Sequence, residues 1–380
     1  MSDKDRKNNV FDASEAPVPP TPGSGIDKDG RPIPPPPVHF KNSARQSLKK
    51  KIGYIALGII AFIILFLVIV NCSFKLPVKS FYDASGKNFK IPDIGKGFIP
   101  QGISYDDRSG DFYLTGYMKD ESASPIYIVD KKTKKLEQKV LMSDPSGDPL
   151  TIHAGGISYY NGMVYVAGAE NSCLYVYNPA DIRDAQKGDL VSYVATVDLT
   201  GAGDDILAAF TTVHDGLLYV GEFYRKPNYL TNELHKVEIS KGSNNALMVG
   251  LSIDNNYKAT PVVAYSIPDK VQGCSFRGED IYFSTSYGIS FSKIYRFDKK
   301  STNTAAAGSF SVFGNSVPLY ILESNNASGI YKFPSMVEEI DILDDQMYVL
   351  TESASDMYVF GKLIGTKKVF TTDLNLLDNN

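Results

Sequence analysis

The longest interruption of alternating apolar and polar residues is the stretch Ile52 to Val70, IGYIALGIIAFIILFLVIV, 19 residues without a charge. At about 1.5 Å per residue a helix of that length spans nearly 30 Å, the thickness of a bilayer's hydrocarbon core. A helix buried in a soluble core retains a polar stripe, and this one has none. Arg45, Lys49, Lys50 and Lys51 stand just before it, whereas only Lys75 and Lys79 follow. The positive-inside rule therefore expects a cytoplasmic N-terminus and places everything after Cys72 outside the membrane. The long region ahead of the run and its exit VIVNCS, which lacks a small-x-small site, argue against a cleaved signal peptide. Asn71 ahead of Cys72 likewise argues against a lipoprotein site.

Beyond the run the pattern changes to short strands that repeat. One series carries a tyrosine: DFYLTG, GMVYVAG, GLLYVGE, DIYFSTS and QMYVLTE, with Tyr113, Tyr165, Tyr219, Tyr282 and Tyr348 spaced by 52, 54, 63 and 66 residues. Ten to sixteen residues later a second series follows: PIYIVD, CLYVYN, ELHKVE, KIYRFD and DMYVFG. Ahead of each tyrosine strand lies a short element, PQGISYD, AGGISYY, AFTTVHD, VQGCSFR or VEEIDIL. After each second strand comes LEQKVLM, SYVATVDL, TPVVAYSI, PLYILES or KKVFTTDL, and turns such as YNG, HDG and RGED punctuate the units. Four strands recurring at this period are the mark of a β-propeller blade, a small sheet that buries its faces against its neighbours.

The expected fold is thus all-β, a five-bladed (alternatively six-bladed) β-propeller over residues 97–380. One transmembrane helix over 52–71 precedes it, after a disordered proline-rich cytoplasmic tail over 1–51. Residues 72–96 form a juxtamembrane segment that either adds an outer strand to the last blade or seeds a sixth. The tail holds nine prolines within its first 41 residues, among Asp, Lys, Ser and Gly, and cannot bury enough apolar surface to fold. Its PxxP-like stretches APVPPTP and RPIPPPP read as a solvated tether or as a ligand for an aromatic groove, which would make the tail an output for sensing outside.

Composition agrees with sheet: Trp is absent, while Tyr (24) and Phe (20) are plentiful. The net charge of −4 conceals a division, since residues 1 to 51 carry 10 Lys/Arg against 6 Asp/Glu and the remainder 29 against 37. An acidic outer domain excludes DNA and RNA as partners, because phosphate binding needs a concentrated basic surface. Cys72, Cys173 and Cys274 have no metal-ligand spacing and are too few for a disulfide framework. Cys173 and Cys274 are expected as small buried residues. GxSxG, HExxH, P-loop and GxGxxG motifs are all missing.

In a propeller the innermost strand starts, and the next strand ends, at one face. Alignment on the tyrosines puts Gln101, Gly155, Ala209, Gln272 and Glu338 at equivalent starts, with His153 and Glu339 nearby, and ends the next strands at Glu170, Glu222, Ser286 and Glu352. The expected ligand-binding set at this funnel is Gln101, Glu170, Glu222, Gln272, Ser286, Glu338 and Glu352. Oxygen ligands from Glu338, Glu222 and Glu352 suit a cofactor such as Ca2+, and His153 suits a general base for a bound water. Strand alternation allows only one of Glu338 and Glu339 to face the channel. The loop YRKPNYLTN is expected to expose Tyr224, Arg225, Lys226 and Tyr229.

With PQGIS, HAGGIS, TTVHDGLLYVGEF, VQGCSF, STSYG and MVEEI, residues 97 to 375 resemble a group of exported bacterial propeller proteins. They are more distantly similar to the gluconolactonase, strictosidine synthase and arylesterase propellers. That resemblance implies a divalent metal at the channel mouth and a hydrolase- or lactonase-like activity, with Gln and Glu standing here where that group carries Asn and Asp. The expectation without chemistry is a membrane-held propeller that binds an extracellular small molecule, glycan or protein.

Overall fold

The structure, a computed structural model, describes residues 25–31, 33, 43–201, 203–359 and 361–379. The proline-rich tail otherwise lies outside the described residues. Within it Gly25–Arg31 and Ile33 close a small turn, in which Asp27 Oδ1 accepts from the backbone N–H of Asp29 and Arg31. Compact packing divides the chain at Ile63/Ile64. The division falls inside one helix, Ser43–Lys75, which is long and apolar enough to cross a membrane.

From Ile64 onward the described chain builds five blades, each of four antiparallel strands, arranged as a five-bladed propeller. Blade 1 is Phe98–Asp106, Asp111–Met118, Pro125–Asp130 and Leu136–Ser143, counted from the innermost strand outward. Blade 2 is Ala154–Tyr160, Met163–Gly168, Cys173–Tyr177 and Ala195–Asp198; blade 3 is Ala208–His214, Leu217–Glu222, Ala246–Ile253 and Ala259–Ile267. Blade 4 is Val271–Arg277, Asp280–Thr285, Phe291–Phe297 and Gly329–Ser335. Blade 5 takes Val337–Leu343, Gln346–Thr351 and Lys368–Asp373 from the C-terminal end and its outermost strand, Ser85–Lys90, from upstream of blade 1.

Alternation along each strand explains the ring. Phe112 and Leu114 face blade 5, while Tyr113 faces blade 2. The same division recurs around the molecule and leaves five apolar cores, one for each pair of adjacent blades. No sheet has to bury a face alone, which is how propellers solve the problem of small four-stranded sheets.

Four expected strands are placed differently. ELHKVE is not in blade 3: Glu233–His235 is a single turn and Val237–Ile239 pairs with Gly242–Asn244. The blade takes ALMVGLSI instead, an almost wholly buried run suited to a strand covered on both faces. PLYI pairs with Ala306–Val312 and runs parallel to the outer strand of blade 3, because Val317 and Leu319 bury in the core between blades 2 and 3. Residues 356–359, the described part of DMYVFG ahead of a short helix, form a loop with Val359 76% exposed, and KVFTTD moves in to third place because Ser85–Lys90 occupies the fourth. Cys274 is buried between blades 3 and 4, Cys173 is half-buried, and Cys72 is exposed.

Candidate functional site

All five innermost strands carry a β-bulge at the same place, between Pro100/Gly102, Ala154/Ile157, Ala208/Phe210, Val271/Gly273 and Val337/Ile340. A bulge re-aims side chains at the sheet edge. Here it turns Gln101, Gly155, Ala209, Gln272 and Glu338 toward one cavity of 640 Å³ at the channel mouth. His153, Glu170, Ser286 and Glu352 line the same cavity.

Glu222 does not line it. Its carboxylate is fully buried inside blade 3, where it meets His235 Nδ1 at 2.9 Å and accepts from the backbone N–H of Leu247 at 3.0 Å. The physical reason is an offset of one residue. Tyr117, Phe223, Ser286 and Glu352 each lie four residues after their blade's aligned tyrosine and line the cavity, whereas Glu222 lies three after Tyr219 and points to the other side of the strand. With Glu222 spent on His235, the expected metal set of Glu338, Glu222 and Glu352 is not assembled. Among the described residues, the set of three such side chains with ligand atoms within 4.8 Å of one another is Asp111, Asp130 and Glu137 in blade 1, where Arg183 pairs with Asp111 at 2.8 Å.

The floor of the cavity is a chain of hydrogen bonds across three blades. Gln101 Oε1 meets His153 Nε2 at 2.9 Å, and Gln101 Nε2 donates to Glu352 Oε2 at 3.3 Å. Since Gln101 Oε1 only accepts, His153 carries its proton on Nε2. Burial holds the imidazole below its usual pKa and therefore neutral. Glu352 is pushed up to about 7 by burial, against the hydrogen bonds it receives from Tyr358 and Gln101. Glu338 is 2% exposed and lies well above the ordinary carboxyl range through burial and the adjoining Glu352. Glu338 Oε1 has no donor, so its contact with Glu352 is a hydrogen bond only when the pair holds a proton. Burial and the same two acids raise the Tyr117 and Tyr358 phenols, which remain O–H donors.

Strict alternation fails at the bulge, so Glu338 and Glu339 do not divide between channel and neighbouring layer. Glu338 lines the cavity, while Glu339 reaches the inner strands of blades 1, 2 and 3 and accepts from the backbone N–H of Ile103, Ile157 and Thr211 at 2.7, 3.3 and 3.2 Å.

The rim is apolar and aromatic, with Leu207, Phe223, Tyr229, Leu230 and Tyr287, and among the described residues no Lys or Arg lines the cavity. Phe223 and Tyr229 meet edge to face at 5.3 Å, and the Arg225 guanidinium stacks 3.8 Å over Tyr287. Tyr229 is exposed as expected, but Tyr224 is buried in the core of blades 3 and 4. Tyr117 and Phe223 were missed although the tyrosine offset marks both. Tyr358 was hidden by the strand-like composition of DMYVFG.

No protein-family model matches the chain, and no curated protein matches it. Solved structures do. The aldose sugar dehydrogenase of Streptomyces coelicolor in its PQQ-bound form aligns over 76% of this chain and 97% of its own, at 12% identity and a TM-score of 0.42. The glutaminyl cyclase of Myxococcus xanthus aligns over 76% and 94%, at 8% identity and a TM-score of 0.39. Neither likeness bears on the chemistry of this site.

Proposed function

We propose that the chain is a membrane-anchored propeller, held by its apolar helix with the blades outside, that binds a small ligand or envelope component at the funnel. The ligand is one that donates O–H or N–H hydrogen bonds and carries no net negative charge. The observation behind this reading is the cavity itself. Its floor joins two contacting carboxyl groups, two carboxamides and a neutral imidazole, its rim is apolar, and among the described residues no Lys or Arg lines it. Buried acceptors without donors favour a ligand that supplies them, and a concave, largely apolar pocket with a few convergent polar groups is how proteins hold small molecules.

The test is calorimetric titration of the full chain in lipid nanodiscs with water-soluble sugars, polyols and amines, alongside their anionic counterparts. Binding by a non-anionic class tighter than about 1 mM is expected, weakened at least tenfold in Glu338→Leu. Binding by anions alone, or binding indifferent to that substitution, would sink the proposal.

A further inference from the structure

The C-terminal end of the apolar helix, from Ile64 onward, and the cavity share one face of the propeller. Phe74 stands four residues, about 6 Å of helix rise, beyond the last apolar-run residue Val70, and its ring lies 5.9 Å from that of Phe291. Phe291 opens the third strand of blade 4, directly after the loop that supplies Ser286, Tyr287 and Gly288 to the cavity. Phe74 also borders Ser335, Thr351, Ser353 and Gly365, which lie at the same end of blades 4 and 5. The end of the helix is thus fixed beside the mouth.

The loops of the two faces also differ, although Leu376, after the last strand, is 51% exposed on the far side. Loops on the mouth side expose Leu230 (53%), Ile289 (62%), Val359 (76%) and Leu363 (45%), and Leu76 just after the helix is 68% exposed. On the opposite side the five hairpin turns read DRSG, NG, DG, GE and DD, without an apolar residue. An exposed apolar rim marks a surface that is covered in use, and continuity with the end of the apolar helix names what covers it.

Resting on the proposed function, we infer that the mouth opens onto the bilayer surface and takes a membrane amphiphile. Its hydroxylated, non-anionic head group reaches the Gln101, Gln272, Glu338 and Glu352 floor while its chain lies against Leu230, Tyr287 and Ile289. Among the described residues no Lys or Arg lines the floor, which disfavours phosphate or carboxylate head groups, and the aromatic rim with its polar floor matches a molecule that is apolar at one end and hydroxylated at the other.

Two measurements on the full chain in phosphatidylcholine nanodiscs decide it. In a background with Cys72 and Cys173 changed to serine, an environment-sensitive fluorophore is attached at Ile289→Cys or, on the far face, at Glu279→Cys. Doxyl-labelled lipid should quench the Ile289→Cys probe several-fold more than the Glu279→Cys probe. A monoacylglycerol with a diazirine in its chain should crosslink within residues 223–236 and 286–291, and unlabelled monoacylglycerol, but not fatty acid, should compete. Equal quenching at the two positions overturns the membrane-facing mouth. Strong quenching at Ile289→Cys with crosslinks confined to the helix overturns the amphiphile as occupant. In either case soluble-ligand binding that Glu338→Leu abolishes would leave the proposed function standing, so the two failures are distinct.

Discussion

At the scale of single residues the acid pair Glu338 and Glu352 carries the most consequence. Both carboxyls lie above their ordinary range, so the folded protein holds protons that the unfolded chain has already lost. A raised acid contributes its full stability below the unfolded value, and that contribution falls as pH climbs toward the folded value. For Glu352 the window runs from 4.5 to about 7, a difference worth about 3 kcal/mol. Asp341, pushed up by burial to about 7, acts with the same sign. The thermal midpoint of the full chain should therefore drop between pH 5 and pH 8. In Glu338→Gln the amide donates to Glu352 and the repulsion between the two acids is gone, so the drop should shrink to the part owed to the burial of Glu352, Glu339 and Asp341. A wild-type midpoint that is flat or rising over this range would contradict the assignment of the raised pair.

Among the elements, Ser85–Lys90 decides whether the ring closes. It pairs with Lys368–Asp373 as the outer edge of blade 5, with Ser85 opposite Thr372 and Lys90 opposite Lys368. Phe81 and Phe89, just before it and within it, bury against blades 4, 5 and 1. Loss of a buried Phe costs about 3–5 kcal/mol, so losing both is comparable to the whole stability of an ordinary domain. A chain begun at Leu76 should unfold cooperatively, as followed by circular dichroism, whereas one begun at Ile91 should lose cooperativity and be degraded by protease. Equal melts for the two would remove this strand's role. The repeat of tyrosine strands made the blades legible, and one of the two readings of residues 73 to 97 was this edge strand. The third strand of blade 3 was not legible, because a 23-residue excursion from Phe223 to Asn245 separates it from the tyrosine strand, and a strand-like segment inside that excursion took its place. Spacing identifies repeats only where the loops keep their length.

For the whole molecule the decisive group sits on the axis. Glu339, from blade 5, accepts from the inner strands of blades 1, 2 and 3. Glycine gives it room: a Cβ at Gly156 would come within 2.8 Å of Glu339 Oε1, and one at Gly273 within 2.5 Å of its Cα. This arrangement escaped sequence reasoning because it depends on the bulge, which sends consecutive residues toward the channel, and no period-2 pattern encodes a bulge. The equivalent positions Gly102, Gly156 and Gly273 did carry a trace of it, three small residues around an axis with space for one large one. If the carboxylate joins the blades, Glu339→Ala leaves three buried N–H groups without acceptors, each costing about 1–3 kcal/mol. Chemical denaturation of the full chain should then register a loss of at least about 3 kcal/mol. Glu339→Gln keeps one oxygen and should lose less. An alanine variant within about 1 kcal/mol of wild type would mean that water or a relaxed backbone satisfies these groups, and that the blades are held together by their five apolar cores alone.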